Sequence, residues 1–401
     1  MKYDYTTNLG NEIQSIAARR FLPEIDCYVD HEKLNLFESD EKVKLIMNGW
    51  YLDCLKSWPP SDSIDPLLIS MHFNTSVNET KEVILSKESR EFFSSYGPVG
   101  CRDQPTAELL KENDIDAYFS GCLSLTLEGM KKNTDYKYVV VNSQKSEEIV
   151  NYLKSKTELD IFEVFQDSIF SLDKKYLDQM PRPYRLTPSF FKTEDSFHLA
   201  ESILNLYENA TCVITDRLHC TFPCLALKTP VLFINTAKFG LERLNDVGNL
   251  VNETTLDEYF QDYSIFDVEH PRKNPEDYLK IRKSLIDKTK EFTNHISDTY
   301  HSYLNYDISY QSNKNLELLL RASYESRKYM FNVMKLTEKH EAENLKTKQD
   351  YEKKILNQQS QIEEKEKIIS NQQIQLDEQK KIMDNSKQSN YNKLKSYFKK
   401  E

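Results

Sequence analysis

Short apolar runs of strand length alternate with amphipathic segments of helical spacing over roughly the first 255 residues, and this alternation constrains the chain more than any other feature. Runs within EKVKLIMNGWYL, DPLLISMHFNT, SYGPVGCRD and DAYFSGCLSLTL each give way to a turn or a polar residue. Between them stand NEIQSIAARRFL and PTAELLKEND, whose apolar residues recur at helical spacing. Strands interleaved with helices build parallel sheets covered by helices. The first cycle closes near Leu127. A second opens after EGMKKNTD: strand YKYVVVNS, helix SEEIVNYLKSK, strand DIFEVFQDS and helix HLAESILNLYENA. Strands TCVITD and PVLFIN follow, around the short helix LHCTFPCLALK.

The expectation is an α/β chain of two Rossmann-like domains, 1–127 and 128–255, facing a cleft. A helical segment, 256–330, is expected to pack back on both. Open sheets of this kind bind ligands beyond the carboxyl ends of their strands, so that edge is where chemistry is sought.

Composition removes several classes. Only 8 of 401 residues are glycine, and no G-x-G-x-x-G, Walker-type phosphate loop or G-x-S-x-G elbow occurs. Lys and Arg total 53 against 64 Asp and Glu, a net charge of −11, which argues against a nucleic-acid backbone as partner. Seven cysteines (Cys27, Cys54, Cys101, Cys122, Cys212, Cys220 and Cys224) form no C-x-x-C pair. They read as reduced thiols of a cytoplasmic protein rather than a disulfide frame or a zinc site. MKYDYTTNLGNEIQ lacks the apolar stretch of a signal peptide, and no apolar run is long enough to span a membrane.

The tail differs from the body. Ile355, Ile362, Ile369, Leu376 and Met383 recur every seven residues, but Gln358, Lys365, Gln372 and Gln379, three further on, are polar. A firm coiled coil wants both positions apolar. Segment 331–390 is therefore either a long solvated helix or a weak coiled coil that joins copies into a homo-oligomer. The basic end, 391–401, sets Lys393, Lys395, Lys399 and Lys400 around Leu394, Tyr397 and Phe398. It is either a solubilising end or a peripheral contact with an anionic membrane face.

Residues 211–240 carry the clearest chemistry. A buried strand ends at Asp216, Arg217 and His219 follow, and Pro223 is expected in a first helical turn. Arg217 and His219 then stand where a strand ends and a helix begins, a place that favours an anion. The next strand brings Lys238 to the same edge. In the first domain a strand ends before Arg102, Asp103 is expected to cap a helix, and Pro105 falls in its first turn. Arg102 would reach the same anion from the opposite wall, since the arginine fork binds carboxylate or phosphate in bidentate fashion. The bland alternative pairs Arg217 with Asp216 and makes His219 a helix cap.

Other strand ends are polar. Asn48 and Trp50 close one strand and His72 and Asn74 another, while Asn8, Asn11 and Glu12 are expected in the first strand-to-helix loop. Asn, Trp and His suit a sugar acceptor, through bonds to hydroxyls and stacking on a ring face. Glu12 or His72 can exchange a proton. Asp114 and Asp116 form a D-x-D before a strand, where a cap-and-turn role is expected, and Cys122 is expected to be a buried thiol.

Three segments resemble the polysaccharide pyruvyl transferase family: NLGNEIQ, VGCRDQPTAELLKENDIDAYFSGCLSLTL and VITDRLHCTFPCLALKTPVLFI. The likeness covers roughly residues 1–300. It implies a GT-B-like fold and transfer of pyruvate from phosphoenolpyruvate to a sugar of a surface glycan or its lipid-linked precursor, forming a ketal. It implies Arg102, Arg217, His219 and Lys238 as the donor-binding and catalytic set, and Glu12 joins Arg217 and His219 as a catalytic candidate on the reading of the polar residues above. On that same reading of the strand ends Asn8, Asn11, Asn48, Trp50, His72 and Asn74 face the acceptor, and the resemblance implies that the co-substrate needs no cofactor or metal beside it. Two rivals remain at this point: a GT-B glycosyltransferase using a nucleotide sugar, and a non-catalytic coiled-coil scaffold.

Overall fold

The structure, a computed structural model, describes residues 1–3, 8–52, 55–130, 135–166, 193–235, 250–300 and 308–397. Helix α1 (Gly10–Arg19) comes first. The first sheet follows as β1 (Val43–Tyr51), β2 (Ile64–Phe73), β3 (Val99–Cys101) and β4 (Ala117–Phe119), all parallel and in that spatial order. Its connections carry α2 (Asn78–Ile84), α3 (Lys87–Tyr96) and α4 (Gln104–Lys111).

The second sheet holds β5 (Tyr138–Asn142), β6 (Asp160–Glu163), β7 (Cys212–Thr215), β8 (Val231–Ile234) and β9 (Asn252–Thr254). It is also parallel, in the order β6-β5-β7-β8-β9. Its helices are α5 (Ser146–Leu153), α6 (Thr193–Asn209), α7 (Leu218–Ala226) and α8 (Leu256–Gln261). Then come α9 (Tyr278–Thr293) and α10 (Tyr310–Tyr397).

Strand alternation distributes the side chains. Tyr138 and Val140 of β5 enter one core, Val139 and Val141 the other, because successive strand residues point to opposite faces. Both faces are covered, so the strand reads as a continuous apolar run. The central core takes side chains from both sheets: Ile46 and Ile69 of the first, Val140 and Val213 of the second, with Ile13 and Ile16 of α1. A separate cluster under the first sheet packs Trp58, Phe73, Phe92 and Phe93 edge to face.

α9 contacts the turn that ends the first half: Arg282 Nη1 donates to the carbonyls of Leu125 (2.6 Å) and Leu127 (2.8 Å). Leu320 of α10 is fully buried in the central core. Residues 1–329 form one compact unit and 330–401 a second. In the second unit Ile355, Ile362, Ile369, Leu376 and Met383 are all more than half exposed. Among the described residues no helix is long and apolar enough to cross a membrane.

Two sequence expectations need correction. Asn11 and Glu12 lie in the first turn of α1, not in a strand-to-helix loop, and Asn8 stands just before it. Among the described residues no named strand precedes α1, and Lys2 makes an isolated bridge with Asp30. Pro223 lies inside α7, beyond its first turn. It has no N–H for the carbonyl four residues earlier, which belongs to His219, and His219 leaves helical geometry at φ −82°, ψ 18°. The helical pattern read up to Met330 continues directly into the tail, since α10 runs for 88 residues from Tyr310.

Candidate functional site

The site is assembled at the carboxyl edge of β3. Arg102 follows the strand directly and is 5% exposed. Asp103 caps α4, accepting from Thr106 N at 3.1 Å, with Pro105 in the first turn as expected. Arg102 Nη1 lies 3.1 Å from Gln14 Oε1 of α1 and 3.4 Å from His219 Nε2 of α7. Among the described residues its Nε is buried without a hydrogen-bond partner. Guanidinium only donates, so in this contact His219 Nε2 accepts, which places the imidazole proton on Nδ1.

Gly10 allows this meeting. A Cβ there would lie 2.6 Å from Gln166 Nε2, 2.7 Å from His219 Nδ1 and 2.9 Å from Asn8 Oδ1. Only glycine lets the start of α1 approach so closely. Asn8 Oδ1 accepts from Gly10 N at 2.9 Å, and Gln166 Oε1 accepts from Asn142 Nδ2 at 2.8 Å.

Arg217 is the residue before α7, as read from the sequence. Its Nε lies 3.5 Å from Asp216 Oδ1, and its side chain is 30% exposed. The other oxygen of Asp216 accepts from Ser143 Oγ at 2.9 Å and Gln144 N at 3.0 Å. The Asp216 pairing foreseen as the bland alternative is therefore present, and Arg217 still lines an open cavity beside it. Lys238 lies outside the described residues.

Glu12 is 4% exposed and its Oε2 has no hydrogen-bond partner among the described residues. Burial pushes its carboxyl up to about 8, so it carries its proton at neutral pH. Burial likewise pushes the Tyr3 hydroxyl well above its ordinary value.

The polar residues named on the first sheet divide. Asn48 is fully buried and its Nδ2 donates to Gln14 O at 2.9 Å. Asn74 Oδ1 accepts from Ser76 N and Oγ in a turn. Asn11 Oδ1 accepts from Gln14 Nε2 at 3.3 Å. Trp50 and His72 are register partners on β1 and β2, with rings 4.4 Å apart. His72 Nδ1 meets Asp103 Oδ2 at 2.5 Å. Burial works to raise the Asp103 carboxyl, but the bond and charge of His72, with Arg102 and Thr106, hold it below the ordinary value.

Asp114 has φ 60° in the turn after α4. The Cys122 thiol is buried, bonded to Ser124 Oγ and pushed up by burial. Cys27 is exposed, Cys54 lies outside the described residues, and the other five cysteines are buried and free.

Gln14, Gly10, Gln166 and the His72–Asp103 pair were not recognised as site elements from the sequence. One signal was present: Gly10 and Gln14 are four apart on one helix and so share a face.

A search of solved structures finds a UDP-N-acetylglucosamine 2-epimerase, 13% identical over 79% of each chain with a TM-score of 0.33, too distant to bear on fold or chemistry. No curated protein matches. A family model of the polysaccharide pyruvyl transferases matches residues 8–238, from the residue before Leu9 and Gly10 through both sheets to β8, and takes in Arg102, Arg217 and His219. With more than half of its length matched, the chain belongs to the polysaccharide pyruvyl transferase family.

Proposed function

We propose that the protein transfers a pyruvyl group from phosphoenolpyruvate to two hydroxyls of one sugar in a surface polysaccharide or its precursor. The observation that carries this reading is the 3.4 Å approach of Arg102 to His219, with the buried Arg102 Nε left over for a ligand. A guanidinium beside an imidazole repels a second positive charge, and an anion placed between them relieves this. Arg102, Arg217 and His219 hold the phosphate and carboxylate of the donor in this reading, with Lys238 as a fourth member.

The reaction balances without a further reactant. A proton added to the CH2 carbon makes the neighbouring carbon electrophilic. One sugar hydroxyl attacks it, forming a C–O bond and losing a proton. The bond to phosphate breaks, the second hydroxyl closes the ketal, and inorganic phosphate leaves with the remaining proton. The cations stabilise the departing charge. Glu12, protonated at neutral pH, and His219 are the proton donors in this proposal. His72, oriented by Asp103, is the base for the acceptor hydroxyl, with Trp50 and Asn74 beside it. The exposed seam of α10 joins copies into a homo-oligomer.

Two measurements test the donor. Phosphoenolpyruvate is expected to raise the melting temperature while UDP- and GDP-sugars leave it unchanged, and phosphate release is expected to depend on a glycan bearing two neighbouring hydroxyls. Stabilisation by a nucleotide sugar alone would turn the assignment to a glycosyltransferase. No stabilisation by either would leave a scaffold.

A further inference from the structure

A second concavity lies at the carboxyl edge of the other sheet. Asn142 ends β5, Glu163 ends β6 and Arg217 follows β7, and all three line a cavity of about 850 Å³. That volume lies within the range of about 300–1,000 Å³ usual for small-molecule sites. Gln166 and Arg217 form its border with the anion site, since Gln166 Nε2 crowds the same point above Gly10 as His219 Nδ1.

The lining describes a neutral, hydroxyl-rich ligand. Its charged members balance: Lys154, Arg217 and Arg321 against Glu147, Glu163 and Glu325. Arg321 is paired with Glu163, and the three cations and three carboxylates cancel, so the cavity offers little net field to a diphosphate. Gln144, Asn151 and Gln166 add amides that both donate and accept. The far wall belongs to the first turns of α10. There Tyr324 packs on Phe165 with ring centroids 5.1 Å apart, and the Arg321 guanidinium covers Phe165 at 5.1 Å. An aromatic ring among amides and balanced carboxylates suits a pyranose, whose C–H face stacks while its hydroxyls bond.

We infer that this cavity is a carbohydrate subsite that holds the sugar unit next to the one receiving the pyruvyl group. The inference rests on the proposed glycan acceptor only in naming which sugar is held. The two readings separate by experiment, because the donor acts on Arg102 and His219 and the neighbouring sugar on the α10 wall.

Saturation-transfer NMR with lactose, cellobiose and chitobiose probes the cavity directly, with UDP as the charged comparison. At least one disaccharide is expected to show transfer in the full chain and in Tyr324→Phe, with at least a fivefold weaker signal in Tyr324→Ala and Gln144→Ala. The phosphoenolpyruvate thermal shift, read in parallel, is expected to be the same in all four proteins. Transfer unchanged in Tyr324→Ala, transfer to UDP alone, or no transfer from any disaccharide would each overturn the subsite. Loss of the thermal shift in the unmodified chain would instead sink the donor reading and leave the sugar result standing.

Discussion

Arg102 Nη1 stands 3.4 Å from His219 Nε2, although 117 residues separate them in sequence. One follows the third strand of the first sheet and the other opens a helix of the second. Their contact defines a single point to which the two halves contribute one nitrogen each, Arg102 Nη1 as donor and His219 Nε2 as acceptor. Arg102→Ala is expected to weaken donor use about 10- to 100-fold, as loss of one charge-assisted hydrogen bond of about 1.5–3 kcal/mol predicts. His219→Gln is expected to lower turnover more than donor affinity, because glutamine can bond an anion but cannot shuttle a proton. Steady-state phosphate release with phosphoenolpyruvate titration separates the two effects.

Gly10 gives a subtler test. Gly10→Ala adds one methyl within 3 Å of Gln166, His219 and Asn8 side-chain atoms. These are side-chain ends, so the helix is expected to form and the melting temperature to stay within a few degrees. The imidazole must shift, and an error near 1 Å in a catalytic group costs on the order of 100-fold. A variant that is both fully folded and fully active would show that His219 needs no fixed position.

Glu12 predicts a pH dependence of stability. Its carboxyl titrates at about 8 when folded, against an ordinary value of 4.5. The folded state therefore holds a proton that the unfolded state has lost between these values. The contribution is fully present below about 4.5 and is lost as pH rises through about 8. The slope reaches at most about 1.4 kcal/mol per pH unit. Glu12→Gln keeps the shape and removes the titration. Urea unfolding at pH 6 and pH 9 is expected to show a smaller loss for the variant than for the parent chain. Equal losses would mean that Glu12 is ionised in the folded protein.

What could be read from the sequence was local. YKYVVVNS announces β5 because four of its residues are apolar or aromatic in a row, and Asp103 with Pro105 announces the start of α4. Both signals lie within a few residues. β9 was missed because Asn252, Glu253 and Thr254 carry no apolar run; the edge of an existing sheet recruits them. The partner of Arg102 was missed for a different reason. Gln14 lies 88 residues away, and only the packing of α1 against both sheets brings it there. The kink at His219 follows from Pro223, whose effect falls four residues upstream and shifts the residue that matters.

The exposed heptad seam predicts that residues beyond Met330 serve association rather than chemistry. They are near neutral, with 15 Lys and Arg against 12 Asp and Glu, and their five seam residues remain more than half exposed. Truncation after Met330 keeps Arg321 and Tyr324. The shortened protein is expected to keep its melting temperature and its donor shift, and to run as a smaller species by light scattering. Identical mass per particle for both forms would leave the seam without a role in assembly.

His72 and Asp103 make the last prediction. Nδ1 of the imidazole is engaged at 2.5 Å by a carboxylate that also caps α4. With Nδ1 engaged by the carboxylate, a base at this position is expected to act through Nε2. His72→Gln is expected to lower turnover by 100-fold or more while the phosphoenolpyruvate thermal shift stays unchanged, because general-base catalysis contributes typically 10²–10⁴. Asp103→Asn keeps a cap acceptor but loses the charge. Its carboxyl titrates below 3.8 in the folded chain, so its contribution to stability is present above that value and is lost as pH falls through the folded one. At pH 7 the variant is expected to be less stable than the parent and slower in turnover, with the acid limb of its pH–rate profile moved to lower pH because the imidazolium has lost its partner. A profile that does not move would separate the pair from proton transfer and leave it a structural link between the end of β2 and the start of α4.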